Sequence, residues 1–216
     1  MISIRPVENC DDLIKPRRIM KYVLIYCSSG SLVTVVDDKE FNIAASHLIT
    51  ITSGQFHYLK KIENAKGFVT EFTLDFFGKN DNDIELIFQN GLFCHFAMNE
   101  VIQVDKSSID SQLKMIAEEL KKQPYQYLIS IRSRIELILV DINRAKIDRG
   151  DEVWKPDALF LKFLETVRSN FEYNYSVKQF AKMLSTTEIK LNELAKLHAG
   201  KTVHTTTTRV VKKFSS

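Results

Sequence analysis

The segment Ser176–Thr202 (SVKQFAKMLSTTEIKLNELAKLHAGKT) carries side chains whose chemistry suits a nucleic acid. Asn192 can bond adenine through both ends of its amide, and Glu193 can accept from the cytosine amino group. Lys196 and Lys201 suit phosphate oxygens. Ile189, Lys190, Asn192, Glu193 and Lys196 form the outer face of one short helix. Taken singly, each polar residue reads equally as part of a solvated helix surface. The elements that must hold them are two short helices. Ser176 with Gln179, and Ser185 with Glu188, have the spacing of capping boxes. Val177, Ala181 and Leu184 would form the buried stripe of the first helix. Ile189 or Leu191, with Leu194 and Leu197, would form that of the second. Gly200 stands where a helix needs a C-cap. Two such helices joined by a tight turn can lay the second in a DNA major groove.

This segment resembles the first helix-turn-helix of the AraC/XylS transcription regulators. Ala181, Leu184, Leu191, Leu194, Lys196 and Gly200 occupy that family's positions. Ala195 departs from it where phenylalanine is usual, and Glu193 where arginine is frequent. The resemblance implies base contacts at Ile189, Asn192 and Glu193. It also implies a second helix-turn-helix beyond a linker helix, of which these 216 residues contain only the beginning. The reader is therefore expected to be incomplete at its C-terminal end.

Charge distribution agrees with a nucleic-acid partner. From Ser176 onward eight basic residues face two acidic ones, a local excess of +6 in a chain whose net charge is +3. A solvated lysine-rich surface would have the same composition. Hydrophobic residues make up 44% of the chain, enough for a sizeable core. Cys10, Cys27 and Cys94 have neither metal spacing nor a pairable framework, and read as buried thiols in a reducing compartment. Met1–Asp12 lacks the apolar core of a signal peptide, and no apolar run reaches the length of a membrane span. A cytoplasmic location with no membrane partner is expected.

Upstream, Lys21–Cys27, Leu32–Val36, Lys39–Ile43, Leu48–Thr52, His57–Lys61 and Gly67–Phe76 read as short strands. Ser28–Ser31, Asp37–Asp38, Ser53–Gln55 and Asn64–Gly67 read as the turns between them. In the last strand Phe68, Phe72, Leu74 and Phe76 form one apolar face. Even, short strands suggest a sandwich or small barrel. GQFHYL (Gly54–Leu59) resembles the cupin-like domain that precedes the DNA reader in many such regulators. Helices follow. Ile109–Lys122 is expected to be capped by Ser108 or Asp110. Tyr125–Ile147 carries Leu128, Ile131, Ile135, Ile138 and Ile142 at alternating spacings of three and four. That seam either packs on the chain's own barrel or pairs subunits, and its position matches the family's dimer contact. DRGDEVWKP (Asp148–Pro156) reads as a linker, followed by a helix over Ala158–Phe171.

Enzymatic chemistry would have to use the barrel. There is no GxGxxG, P-loop or GxSxG motif. Metal-dependent cupins place two histidines one residue apart, and Leu59 stands where the partner of His57 would be. His57, Glu63 or Glu71, and His95 remain as conceivable ligands. His47 and His204 read as surface residues. No enzyme activity, cofactor or metal is expected, and His57 is a weak candidate for touching an effector.

The expected architecture is α+β. A cupin-like barrel covers residues 1–106, a helical dimerisation segment 107–147, a linker 148–156 and a partial DNA-binding unit 157–216. The partners would be DNA, a small-molecule effector and a second copy through Tyr125–Ile147. The alternatives are a dimeric small-molecule-binding module with a vestigial tail and a metal-dependent cupin enzyme.

Overall fold

The computed structural model describes residues 1–88, 92–93, 99–151, 157–173, 175–199, 202–205 and 207–208. Among these, seven strands form one antiparallel sheet: β1 (Ile2–Pro6), β2 (Arg17–Arg18), β3 (Tyr22–Val36), β4 (Lys39–Ala44), β5 (His47–Ile51), β6 (Phe56–Phe72) and β7 (Val101–Gln103). Helices α1 (Leu74–Phe77) and α2 (Asp81–Phe88) precede β7. After it come α3 (Lys106–Lys122), α4 (Tyr127–Asp148), α5 (Ala158–Ser169), α6 (Val177–Met183) and α7 (Glu188–Ala199).

The sheet is built on β3 and β6, which pair along almost their whole length. On its other edge β3 takes β5 over Val23–Cys27 and then β4 over Ser31–Val36. The opposite edge of β6 takes β2 at its start and β1 at its end. Each long strand therefore covers what the sequence suggested were two strands. The expected turns at Ser28–Ser31 and Asn64–Gly67 are irregularities within continuous strands, where the register shifts between Cys27 and Ser31. Bulges bend a sheet without ending it. Gly30 sits there at φ 74°, and a Cβ on it would come within 2.4 Å of the Asn64 carbonyl oxygen. The strand expected over Gly67–Phe76 stops at Phe72, and Leu74–Phe77 is a helical turn.

Both sheet faces are covered, which explains why YVLIYC (Tyr22–Cys27) is apolar throughout rather than alternating. Val23, Ile25 and Cys27 point into the barrel with Val7, Leu13, Leu32, Ile49, Leu59 and Val69. Tyr22, Leu24 and Tyr26 point outward, under α2, α3 and α4. Cys10 and Cys27 are buried, and burial pushes the Cys10 thiol up to about 11. Cys94 lies outside the described residues. Helix α3 is capped by Asp105, which accepts from the Ser108 amide at 2.9 Å, rather than by Ser108 or Asp110.

One carboxylate gathers the barrel's N-terminal segments. Glu71 on β6 is buried and meets Arg17 at 2.6 Å, Lys21 at 3.2 Å and Arg5 at 3.3 Å. Burial alone would raise its pKa, but Arg17 and Lys21 outweigh it and hold the carboxyl below its ordinary value. A depressed carboxylate contributes stability above the unfolded pKa of about 4.3, lost as pH falls through the folded value. Glu71→Gln should destabilise the chain by about 3 kcal/mol at pH 7, since it leaves cations uncompensated. The deficit relative to wild type should shrink in chemical denaturation below pH 4. An unchanged deficit at pH 3 would mean that Glu71 acts through packing alone.

Candidate nucleic-acid interface and its seat on the barrel

Helices α5, α6 and α7 form a small unit around Phe160, Phe163, Val167, Phe180, Leu191 and Leu194. Local capping explains where its helices begin. Asp157 accepts from the Leu159 amide at 2.8 Å and starts α5. Ser176 and Gln179 form the expected capping box at the start of α6. The second expected box is absent. Ser185 lies in the left-handed region at φ 52° and belongs to the turn. Thr187 instead receives the Lys190 amide at 3.1 Å and caps α7. Four residues, Leu184–Thr187, separate the two helices.

The buried stripe of α7 is Leu191, Leu194 and Ala195, and Leu197 is 74% exposed. Leu197 therefore leaves the stripe to which its spacing assigned it. Ala195 is fully buried, and Phe160, Phe163 and Phe180 supply the aromatic bulk of this core. The outer face carries Ile189 at 73% exposure, with exposed Lys190, Glu193 and Lys196. Exposed Lys178 and Lys182 lie on α6. Asn192 is engaged within the chain. Its Nδ2 donates to the Glu188 carbonyl at 3.0 Å, and its Oδ1 accepts from the Val203 amide at 3.1 Å. Lys201 and Gly200 lie outside the described residues.

The third side of α5 faces the barrel. Leu161 joins the outer barrel core. One turn further, Glu165 accepts from the Tyr22 hydroxyl and pairs with Arg168. The Arg168 Nη1 donates to the Ser53 carbonyl at 2.7 Å, and its guanidinium stands 5.4 Å from the centre of the Tyr22 ring. Glu165 is 8% exposed and Arg168 5%. Burial pushes the Glu165 carboxyl up, opposed by Arg168 and by the Tyr22 hydroxyl. A cleft of about 330 Å³ opens beside this group, between Met20, Leu74 and Asp75 on one side and Glu165, Arg168 and Asn170 on the other. Nothing in the sequence marks Tyr22 as a partner of α5. Two opposite charges three residues apart, following the apolar positions of ALFLKFLETVRS, were the available sign that Glu165 and Arg168 share a polar contact.

The barrel histidine is sealed in. His57 is 1% exposed, which leaves it no open face for an effector, and its Nδ1 lies 3.0 Å from the Gln55 carbonyl oxygen. Burial pushes its pKa down. Of the other conceivable metal ligands, Glu71 is held by three cations and Glu63 is exposed beside Lys61. His95 lies outside the described residues.

The apolar seam of α4 is spent inside the chain. Ile131, Ile135, Ile138 and Ile142 are 0–3% exposed and pack on the outer barrel face. Leu128 alone of the five is exposed, at 44%. The reading of this seam as a subunit contact is corrected accordingly, since these side chains already have a partner. A second apolar line remains outside: Ile129, Leu137 and Ile147, at 55%, 51% and 45% exposure.

A rolled antiparallel sheet under helices, followed by a small helical unit seated on its rim, defines an α+β protein with a cupin-like barrel. The family model of the AraC-like ligand binding domain matches residues 2–133, and the chain belongs to that family. No curated protein matches the sequence. Among solved structures, wild-type ToxT from Vibrio cholerae strain SCE256 bound to an unsaturated fatty acid is similar, with a TM-score of 0.50 and 12% identity. The match covers 99% of this chain and 77% of that one. ToxT from Vibrio cholerae O395 bound to (E)-4-(8-methylnaphthalen-1-yl)but-3-enoic acid gives a TM-score of 0.51 and 10% identity over 99% and 80%. At these identities the likeness is one of fold.

Removing one member of the buried group should be costly, and removing the charges together should be cheap. Arg168→Met strands a buried carboxylate and should cost about 3–5 kcal/mol, a fall in Tm of about 10 °C for a chain of this size. Glu165→Gln combined with Arg168→Met should recover most of that loss in the same melting experiment. Additive losses would show that the two side chains do not act as a pair.

Proposed function

We propose that the chain is an effector-responsive regulator of transcription that binds DNA through a helix-turn-helix made of α6 and α7. The observation that carries this reading is the outer surface of those helices. Lys178, Lys182, Lys190 and Lys196 are exposed there, and none of them pairs with a carboxylate among the described residues. Unpaired lysines on a helix pair of this spacing suit phosphate oxygens. The buried Glu165–Arg168 pair supports the coupling, because it ties the DNA-binding unit to strand β3 of the ligand-binding barrel. A small molecule entering the barrel or the cleft beside Arg168 would act on those same contacts. One ToxT structure holds an unsaturated fatty acid, so compounds of that class are the first to screen. A regulator working on chromosomal DNA acts in the cytoplasm. No helix among the described residues is long and apolar enough to cross a membrane. The reading is of a binding protein, with no catalytic step.

Pairing of subunits is part of the proposal, through a different surface from the buried seam. Leu137 stands at the middle of α4, with Ile129 and Ile147 nearly equidistant on either side. Two antiparallel copies of α4 crossing at Leu137 would bring each apolar end against the other, the self-complementary arrangement a twofold axis requires.

Two measurements test these statements. Affinity for duplex DNA should fall steeply with salt from a dissociation constant on the order of 10⁻⁴–10⁻⁶ M for unselected sequence at physiological salt, and Lys196→Ala should reduce the slope of log K against log salt by about 0.9. A slope near zero for the wild type would favour a ligand-binding module that does not engage DNA. Leu137→Glu should yield a folded monomer in sedimentation, whereas Ile135→Glu should unfold the chain. A Leu137→Glu variant that sediments as wild type would remove α4 as the contact.

A further inference from the structure

Ile189 is an isoleucine on the first turn of α7, and 73% of its surface is exposed. Around it stand polar or charged residues, Glu188, Lys190 and Glu193, all exposed. The nearest amide that could read a base, Asn192, has its Nδ2 committed to the Glu188 carbonyl and its Oδ1 to the Val203 amide. The first bond lies within the recognition helix, and the second joins that helix to the helical turn that starts at Val203, whose side chain is fully buried. Using Asn192 for adenine would break both of them and leave the Val203 amide without its acceptor.

We propose that this protein recognises the 5-methyl group of a thymine through Ile189, and that Asn192 is a positioning residue which reads no base. The inference rests on the DNA-binding role proposed above and departs from the base contact that the family resemblance implies for Asn192. The first turn of a recognition helix is the part that reaches base edges. In the major groove thymine is the base that offers an apolar group, and an aliphatic side chain contacts it without needing a hydrogen-bond partner. The occupant of this face is a DNA duplex rather than an apolar protein surface, because exposed lysines on α6 and α7, which pair with no carboxylate among the described residues, accompany Ile189 and Glu193. Leu197 is equally exposed but lies eight residues further along α7, about 12 Å down the helix axis. It therefore serves as a control.

The test uses the full 216-residue chain. Duplexes are selected from a random pool, and each thymine of the preferred sequence is replaced singly by deoxyuridine, which removes only the methyl group. At one position wild-type affinity should drop about fourfold, the worth of one buried carbon. Ile189→Ala should bind the thymine and uracil duplexes equally, whereas Leu197→Ala and Asn192→Ala should keep the fourfold ratio. Asn192→Ala should also melt at lower temperature. If every thymine tolerates uracil, or binding is salt-sensitive but selects no sequence, the inference fails and the DNA-binding reading stands. Loss of adenine selectivity in a normally melting Asn192→Ala variant would overturn the positioning role. Absence of any duplex binding would overturn the DNA-binding reading and the inference with it.

Discussion

Strand β3 is apolar on both faces, and most of the architecture follows from covering it twice. An antiparallel sheet can leave one face to water, but Tyr22, Leu24 and Tyr26 on one side and Val23, Ile25 and Cys27 on the other must all leave solvent. Rolling the sheet closes the inner face. The outer face needs helices, and α4 supplies them with its row of isoleucines. Once that row is used, what remains outside on α4 is a thinner line of single apolar residues interrupted by charge. The demands of the barrel core thus decide which surface is left for any other partner.

Charges buried at the rim do a different job from the apolar contacts. Burying a salt bridge gains little net stability compared with apolar packing, but an incorrect arrangement leaves a charge unpaired at great cost. Glu71 collects Arg5, Arg17 and Lys21 from three segments and fixes how the N-terminal strands close the barrel. Glu165 and Arg168 do the same for α5, which is held by Tyr22 and Ser53 of the barrel while its opposite face carries the core of the C-terminal unit. A helix shared in this way would carry a displacement of the barrel rim to the C-terminal unit as a rigid-body shift, because both of its contacts are buried.

Within α7 the division of labour is set by burial. Leu191, Leu194 and Ala195 hold the helix, Asn192 secures the turn that follows, and Ile189, Glu193 and Lys196 are left to face outward. An apolar and an acidic side chain at the centre of a lysine-rimmed surface make a poor phosphate binder and have the chemistry to contact base edges. In the proposed DNA-binding role, selectivity and electrostatic attraction would be carried by different residues.

Local features of the chain were legible from the sequence. The Ser176–Gln179 capping box, the helical spans of α3, α4 and α5, the strand content of the first hundred residues and the family resemblance all depend on residues within a few positions of one another. Tertiary structure alone decided the rest. It merged four expected strands into β3 and β6, because a bulge and a turn share the same small polar residues. It moved the cap of α7 from Ser185 to Thr187, turned the α4 seam inward and engaged Asn192. It also brought Tyr22 to Glu165 across 143 positions. Periodicity shows which face of an element is apolar, but only packing determines what covers that face, and the partner can come from anywhere in the chain.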